Sequence, residues 1–217
     1  MDEAGQAKAE VARFTKRLYE EGLITVSGGN VSMRIDADRI AITPSAVDKG
    51  ALDAAQIGEL GMDGDMRGGG LKSSIETGMH LAIYRRAPET GAIVHAHPPY
   101  ASVFTAIDRE LDTTLIAESY AILGRPAFAP YAIMGSPELA EQVAACAEQA
   151  ACILMEQHGA LALGRDLTEA FNRVEVLEHT ARINLYAALL GGARKLDDER
   201  LAALDALMGR IPLKDRE

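Results

Sequence analysis

The alternation of hydrophobic and polar positions along the chain predicts a mixture of helices and short strands. Val11, Phe14 and Leu18 recur at helical spacing before Gly22, which is typical of a helix that ends at a glycine. Helices are predicted over residues 6–21, 74–86, 100–106, 136–150 and 166–190, and strands over 31–35, 39–42, 92–97, 152–155 and 160–163. Irregular strands are expected on both sides of residues 124–126.

Strands and helices are interspersed and the hairpin-like connections are short. We therefore predict an α/β fold, a three-layer α/β/α sandwich around a largely antiparallel central sheet. Because nothing in the composition divides the chain, residues 1–217 are expected to form a single domain.

The composition describes an acidic chain with enough hydrophobic residues for a sizeable core. Of 217 residues, 48% are hydrophobic, and the formal net charge is −10. Nucleic acids and anionic membranes require a basic surface, so we expect neither as a partner. Cys146 and Cys152 lack metal-ligand spacing, the first residues show no targeting pattern, and no hydrophobic run is long enough to span a membrane. The expected location is the cytoplasm.

Three histidines lie where predicted strands end. His95-Ala96-His97 and Gln157-His158-Gly159 each follow a hydrophobic segment. Because side chains at i and i+2 of a strand point to the same side, His95 and His97 can bind one ion together. Neutral imidazoles suit zinc and its first-row neighbours, and three protein ligands leave a position open, as in catalytic sites. We predict one divalent ion per chain, with zinc as first choice and manganese, cobalt or iron as alternatives.

Each of these signals also has an ordinary explanation. A histidine in a half-apolar segment is commonly a hydrogen-bonded core residue, and a His-x-His pair also occurs in cupins. Cupins need a glutamate further along the same strand, where this chain has Pro98-Pro99-Tyr100. Glu76 is a candidate base, but Ser73-Ser74-Ile75-Glu76 also fits a capping box in which the glutamate binds only the start of a helix.

Five short motifs occur in order along the chain. They are Ser27-Gly28-Gly29-Asn30-Val31-Ser32, Ile42-Thr43-Pro44-Ser45, Glu76-x-x-x-His80, Val94-His95-Ala96-His97-Pro98 and Gln157-His158-Gly159. This set resembles the class II aldolase and adducin head family, and within it the fuculose phosphate aldolases. The resemblance extends from the first predicted helix through the long helix after His158. It implies a homotetramer with four-fold symmetry and active sites near subunit interfaces.

The resemblance also implies roles for individual residues. His95, His97 and His158 would be the metal ligands, and Glu76 would be both a carboxylate of the metal site and the acid/base. The residues that would hold a substrate phosphate are Ser27, Gly29, Asn30, Ser45, Ala46 and Ser74. Backbone N–H groups, small hydroxyls and an amide can bind a phosphate without a basic protein surface.

The implied reaction is the reversible aldol cleavage of a ketose 1-phosphate to dihydroxyacetone phosphate and an aldehyde. Candidate substrates are of the fuculose, ribulose, 5-deoxypentulose or 5-methylthiopentulose type. The metal would act as a Lewis acid, and Glu76 would move the proton at the enediolate carbon. The chain departs from the family pattern where Ile75 replaces a phosphate-binding serine. It also departs at the tyrosine acid, for which Tyr120 is one candidate and Glu118, approaching the metal, is another.

Two other functions stay open at this point. A protein of the same fold could epimerise or decarboxylate a phosphorylated sugar or sugar acid with the same metal chemistry. A non-catalytic, adducin-like scaffold is the third possibility. The presence of His95, His97, His158 and Glu76 argues against the scaffold, because a binding module has no use for an open metal site.

Overall fold

The computed structural model describes residues 2–68 and 71–210. The helices are α1 (Glu3–Glu20), α2 (Thr77–Arg86), α3 (Pro99–Val103), α4 (Ala117–Leu123), α5 (Pro137–Ala147), α6 (Leu167–Leu189) and α7 (Asp198–Leu207). The strands are β1 (Asn30–Arg34), β2 (Arg39–Ile42), β3 (Gly58–Gly61), β4 (Met66–Gly68), β5 (Ala92–Ala96), β6 (Ala127–Ala129), β7 (Cys152–Met155) and β8 (Gly159–Gly164).

These strands form one eight-stranded sheet in the order β4-β3-β2-β1-β5-β8-β7-β6. Neighbouring strands are antiparallel except for the parallel pair β6 and β7. The prediction of a largely antiparallel sheet is therefore confirmed. In the middle of the sheet, Asn30 of β1 lies opposite His95 of β5, and Ala96 lies opposite Ala160 of β8. The central strands thus bring the glycine-rich motif and both histidine motifs to one region.

Helices cover both faces of the sheet, as the prediction of a three-layer sandwich requires. Because successive side chains of a strand point to opposite faces, β5 contributes to two cores. Val94 and Ala96 belong to the core that includes residues of α1, α3 and α6, whereas Ile93 belongs to the core with α2 and α5. His95 follows Ile93 by two residues and therefore points toward the α2 and α5 layer.

Helix ends follow the predicted signals. Gly22, just after α1, has a φ of 69°, the left-handed conformation that glycine adopts most readily. The side chains of Ser136 and Asp166 accept backbone N–H groups at the starts of α5 and α6. These caps satisfy N–H groups that have no partner inside the helix.

Several elements differ from the sequence-based predictions. The pattern does not predict β3, β4 or α7, and it predicts an irregular strand where α4 forms. Helix α2 begins at Thr77, and the side chain of Glu76 makes no capping hydrogen bond. The capping-box explanation for Glu76 is therefore wrong, because its carboxylate is directed to Asn30 and the histidines instead.

The sequence Arg67-Gly68-Gly69-Gly70 predicts a flexible approach to α2, and residues 69 and 70 of it lie outside the described residues. Over residues 2–68 and 71–210, every helix is either too short or too polar to cross a membrane.

Candidate metal centre

His95 lies at the end of β5 and is fully buried. Its Nδ1 is 3.0 Å from the carbonyl oxygen of Ala160. A carbonyl oxygen only accepts, so Nδ1 carries the ring proton and donates it, and Nε2 keeps its lone pair. That Nε2 atom is 3.3 Å from Oε2 of Glu76. A neutral imidazole with one nitrogen engaged by a carbonyl is the form in which histidine binds metals.

The ring of His97 lies between two turns that contain glycine. A Cβ atom on Gly28 would stand 2.9 Å from Nδ1 of His97, and a Cβ atom on Gly159 would stand 2.6 Å from its Cδ2. Glycine at both positions leaves the space that the ring occupies. The backbone N–H of His97 donates to the carbonyl of Leu23 at 3.0 Å. The glycine-rich motif and the turn after His158 therefore hold this imidazole in place.

His158 is presented by the turn between β7 and β8. The preceding residue, Gln157, has a φ of 51°, a left-handed conformation that is uncommon for a residue with a side chain. The N–H of Gln157 donates to the carbonyl of Thr105 at 2.9 Å, and the N–H of His158 donates to that of Met155 at 3.1 Å. These bonds hold the turn in its strained shape, which places Nε2 of His158 at 3.2 Å from Oε1 of Glu76.

The three imidazoles and Glu76 form one compact cluster. One nitrogen atom from each of the three histidines lies within 4.8 Å of the others, close enough for one ion to be shared. Among the described residues, Glu76 Oε1, His95 Nε2 and His158 Nε2 are buried atoms that lack a hydrogen-bond partner. Buried polar atoms normally have partners, and a divalent cation would satisfy all of these at once. The set of nitrogen donors suits zinc or another first-row divalent ion.

Burial and the mutual charges of the cluster shift the pKa values of Glu76, His95 and His97. Burial alone would raise the pKa of Glu76, but His95 and His158 lower this pKa well below its usual value. Burial, together with the two neighbouring imidazoles, lowers the pKa of His97 to about 3. Burial also acts to lower the pKa of His95, but the nearby negative charge of Glu76 raises it above its usual value. A proton on His95 and a metal cation therefore compete for the same lone pair.

The segments predicted to bind phosphate meet beside Glu76. Nδ2 of Asn30 donates to Oε2 of Glu76 at 2.7 Å and lies 3.3 Å from Oγ of Ser74. The backbone N–H of Ser45 donates to the carbonyl of Lys72 at 2.8 Å, so the loop after β2 lies along the segment that leads to Ser74. Asn30 and Ser74 therefore lie next to the histidine cluster, and Ser45 lies in the loop alongside the segment that leads to Ser74.

The other predicted phosphate-binding residues lie in the same loops. Gly29 is buried with a φ of 72°, and Ala46 is exposed with a φ of 53°, so both occupy sharp turns. Ser27 is exposed. The N–H of Lys49 donates to the carbonyl of Val26 at 2.9 Å, which joins the glycine-rich loop to the chain that follows Ala46.

Comparison with known proteins identifies the family. Residues 9–185 match the model described as Class II Aldolase and Adducin N-terminal domain. The chain belongs to this family. The resemblance seen in the five motifs is therefore confirmed.

Individual relatives of this class II aldolase family member carry two different names. An L-fuculose phosphate aldolase of Methanococcus maripaludis is 36% identical over 175 residues, which cover 81% of this chain and 94% of that protein. A 3-oxo-tetronate 4-phosphate decarboxylase of Haemophilus influenzae is 33% identical over 181 residues, which cover 81% of this chain and 85% of that protein. A solved structure of an L-fuculose 1-phosphate aldolase has a TM-score of 0.86 at 31% identity. The alignment covers 94% of this chain and 96% of that protein. The class II aldolase fold is confirmed.

The two candidates for a second acid occupy different surroundings in this class II aldolase fold. Tyr120 is buried, and its hydroxyl donates to Oδ2 of Asp205 at 3.0 Å. The guanidinium of Arg210 lies over its ring, 5.0 Å from the ring centre. Helix α7, which the sequence pattern does not predict, thus engages the hydroxyl of Tyr120 through Asp205. Glu118 is exposed in the first turn of α4.

Sequence reasoning missed a buried lysine behind the candidate phosphate loops. The ammonium of Lys49 donates to the carbonyl of Pro44 at 2.8 Å, and burial lowers its pKa to about 8. No pattern along the chain distinguishes Lys49 from a surface lysine. Ser32 and Tyr84 were also missed, although a signal existed. Ser32 is two residues from Asn30 in a strand, and Tyr84 is four residues from His80 in a helix.

Proposed function

We propose that this chain is a divalent-metal-dependent lyase that reversibly cleaves a ketose 1-phosphate to dihydroxyacetone phosphate and an aldehyde. One observation carries the proposal. The carboxylate of Glu76 is 3.3 Å from His95, 3.2 Å from His158 and 2.7 Å from the amide of Asn30. A single buried acid therefore touches both the candidate metal site and a candidate phosphate donor. The names of the aldolase relatives support aldol cleavage of a fuculose-type phosphate. We also propose ribulose-, 5-deoxypentulose- and 5-methylthiopentulose-type phosphates as candidate substrates.

His95, His97 and His158 would hold the ion, with zinc as our first choice. When bound, the ion supplies Lewis-acid stabilisation of the negative charge that develops on the hydroxy-ketone oxygens. Glu76 then moves the proton at the carbon that is released when the carbon–carbon bond breaks. In the cleavage direction Glu76 gives a proton to that carbon, and in the condensation direction its carboxylate takes the proton back.

The phosphate would be held by donors that need no basic surface. Asn30 and Ser74 lie beside Glu76, and the loops with Ser27, Gly29, Ser45 and Ala46 supply backbone N–H groups and hydroxyls. Fixing the phosphate on one side of Glu76 and the hydroxy-ketone on the other would orient the bond to be broken.

A second group must take the hydroxyl proton of the aldehyde half as that half becomes a carbonyl compound. We assign this role to Glu118 as a proposal, because its carboxylate is exposed. Tyr120 is less suitable, since its hydroxyl is engaged by Asp205.

The test is release of dihydroxyacetone phosphate from a panel of ketose 1-phosphates and the matching free sugars, measured by coupled reduction with a specific dehydrogenase. We expect release from at least one phosphorylated ketose, loss of activity after chelation, and recovery with zinc, manganese or cobalt. His158→Ala should remain inactive in each metal, whereas His179→Ala, an exposed histidine of α6, should keep wild-type activity. If metal-loaded protein releases dihydroxyacetone phosphate from none of these ketoses, the aldolase proposal is wrong.

The second candidate is decarboxylation of a phosphorylated 3-oxo sugar acid. The similarity to the decarboxylase of Haemophilus influenzae favours it, and the same ion and Glu76 would serve this reaction. Carbon dioxide release from a 3-oxo acid 4-phosphate, without release of dihydroxyacetone phosphate from any ketose, would decide for the decarboxylase.

We further propose that residues 1–217 act as one domain within a homotetramer in the cytoplasm. Light scattering should give a mass of about four chains. A monomeric mass at micromolar concentration would contradict the tetramer.

A further inference from the structure

A buried chain of hydrogen bonds leads from Glu76 into the α2 layer. Nδ2 of Asn30 is 2.7 Å from Oε2 of Glu76, and Oδ1 of the same amide is hydrogen bonded to Nε2 of His80. Nδ1 of His80 is 2.7 Å from Oγ of Ser32, which is 2.9 Å from the hydroxyl of Tyr84. The five side chains are between 0% and 6% exposed, so water does not compete for these bonds.

The chemistry of Glu76 determines the direction of the next bonds in this chain. An ionised carboxylate only accepts, so Asn30 must present its NH2 group to Glu76. The carbonyl oxygen of the Asn30 amide then faces His80 and also only accepts. His80 must therefore carry a proton on Nε2, whether or not Nδ1 is protonated as well. In the neutral ring, Nδ1 accepts the hydroxyl proton of Ser32.

From this arrangement, we propose that His80 is a positioning residue for the active site. Its Nε2–H holds the amide of Asn30 in the one orientation that donates to Glu76 and Ser74. This inference rests on the proposed function of Glu76 and Asn30 and adds a group that touches neither substrate nor metal. If the amide turned by 180°, its oxygen would face the Glu76 carboxylate, and the repulsion would move the acid away from Asn30 and Ser74.

The position of Asn30 explains why its orientation matters for the reaction. It lies opposite His95 in the central pair of strands, and its Nδ2 is also 3.3 Å from Oγ of Ser74. The same NH2 group therefore contacts the acid/base and borders the candidate phosphate site. A misplaced amide would disturb proton transfer and phosphate binding together.

The test compares His80→Leu with His80→Gln. Glutamine retains an amide N–H that can donate to Asn30, whereas leucine has a similar volume and no donor. We expect kcat of His80→Leu to fall about 10- to 100-fold, as is common when the partner of an active-site ligand is removed, and His80→Gln to recover most of the loss. The control is Thr15→Val, which removes a buried hydroxyl hydrogen bond in α1, on the other face of the sheet. It should lower the unfolding temperature without lowering kcat.

A second measurement does not depend on activity or on whether His80→Leu folds. The measurement is an NMR spectrum of the histidine side chains in wild-type protein with ¹⁵N-labelled histidine. The resonances that disappear in His80→Gln belong to His80, and they should show a protonated Nε2. A ring of His80 protonated only on Nδ1 would overturn the proposal even if the protein is an active aldolase. Equal kcat values for folded His80→Leu and wild type would also overturn it, as would a His80→Gln that is no better than His80→Leu. If no ketose phosphate is cleaved, the proposed function fails, and the tautomer still tests the role of His80.

Discussion

The histidine cluster predicts a large difference in stability between metal-loaded and metal-free protein. In the described part of the chain, His95 Nε2, His158 Nε2 and Glu76 Oε1 are buried without a hydrogen-bond partner. An ion that binds these atoms only in the folded state stabilises that state by mass action. At an ion concentration roughly 100 times the dissociation constant, the gain is about 2.7 kcal/mol.

This gain can be converted into a temperature. For chains of about this length, each kcal/mol moves the midpoint of thermal unfolding by about 2–4 °C, so the expected rise is roughly 5–11 °C. Zinc, manganese, cobalt or iron should produce it in chelator-treated protein. Calcium should not, because it prefers oxygen ligands, and this cluster offers mainly nitrogen.

The assay is a thermal scan at one fixed protein concentration, since the midpoint of an oligomer depends on concentration. His97→Ala should lose most of the zinc-dependent rise, because one of three nitrogen ligands is gone. His179→Ala, which removes an exposed histidine of α6, is the matched control and should retain the full rise. Identical midpoints with and without every one of these four transition metals would show that the cluster does not bind an ion.

Three further results are expected. Glu76→Gln should keep the fold, because the side chain of Glu76 does not cap α2. It should lower the rate of dihydroxyacetone phosphate release about 10²- to 10⁴-fold, as expected for loss of an acid/base. A near-normal rate would exclude Glu76 from that role. The pKa of Lys49 is about 8 in the folded state and 10.5 in the unfolded state, so between these pH values the unfolded state binds more protons. The free energy of unfolding should therefore rise by about 3 kcal/mol as the pH rises through that window. Denaturant titrations of Lys49→Met over the same pH range should lack this rise. A Lys49→Met protein with the same dependence of stability on pH as wild type would contradict this prediction. Ile75→Ser should lower the Michaelis constant for a ketose 1-phosphate about tenfold, and Asn30→Ala should raise it. If the wild-type protein cleaved the phosphorylated and the free sugar with equal efficiency, these loops would bind no phosphate.

The local order of residues was sufficient to predict much of this protein. Period-two and helical patterns located five helices and most of the central strands, because such periodicity directly reflects which face of an element is buried. The motifs also revealed the family, and the spacing of His95 and His97 predicted that both imidazoles point to one side. These features depend on interactions between residues that are near each other in the chain.

The weaker predictions concern short or amphipathic segments whose environment comes from elsewhere. The three-residue strand β4 is a hairpin partner of β3, and α7 is stabilised in part by the contact of Asp205 with Tyr120, which is 85 residues away. A short segment has too few residues to show a period, and a buried carboxylate is not distinguishable from a surface one in the sequence. The sequence offered Tyr120 as a candidate acid but gave no sign that its hydroxyl would bind Asp205 of α7.

The role of Glu76 shows the same limit most clearly. Ser73-Ser74-Ile75-Glu76 satisfies the sequence rule for a helix cap, and only the pairing of β1 with β5 brings Asn30 and His95 to the same carboxylate. Asn30 is 46 residues from Glu76 along the chain, so no local rule could weigh that contact against the cap. In the folded protein, the amide of Asn30 donates to the buried carboxylate and two imidazoles lie beside it, so its burial is compensated without a capping bond. The residue types of the site can thus be identified from the sequence, but the packing of the sheet determines which of these residues contact each other.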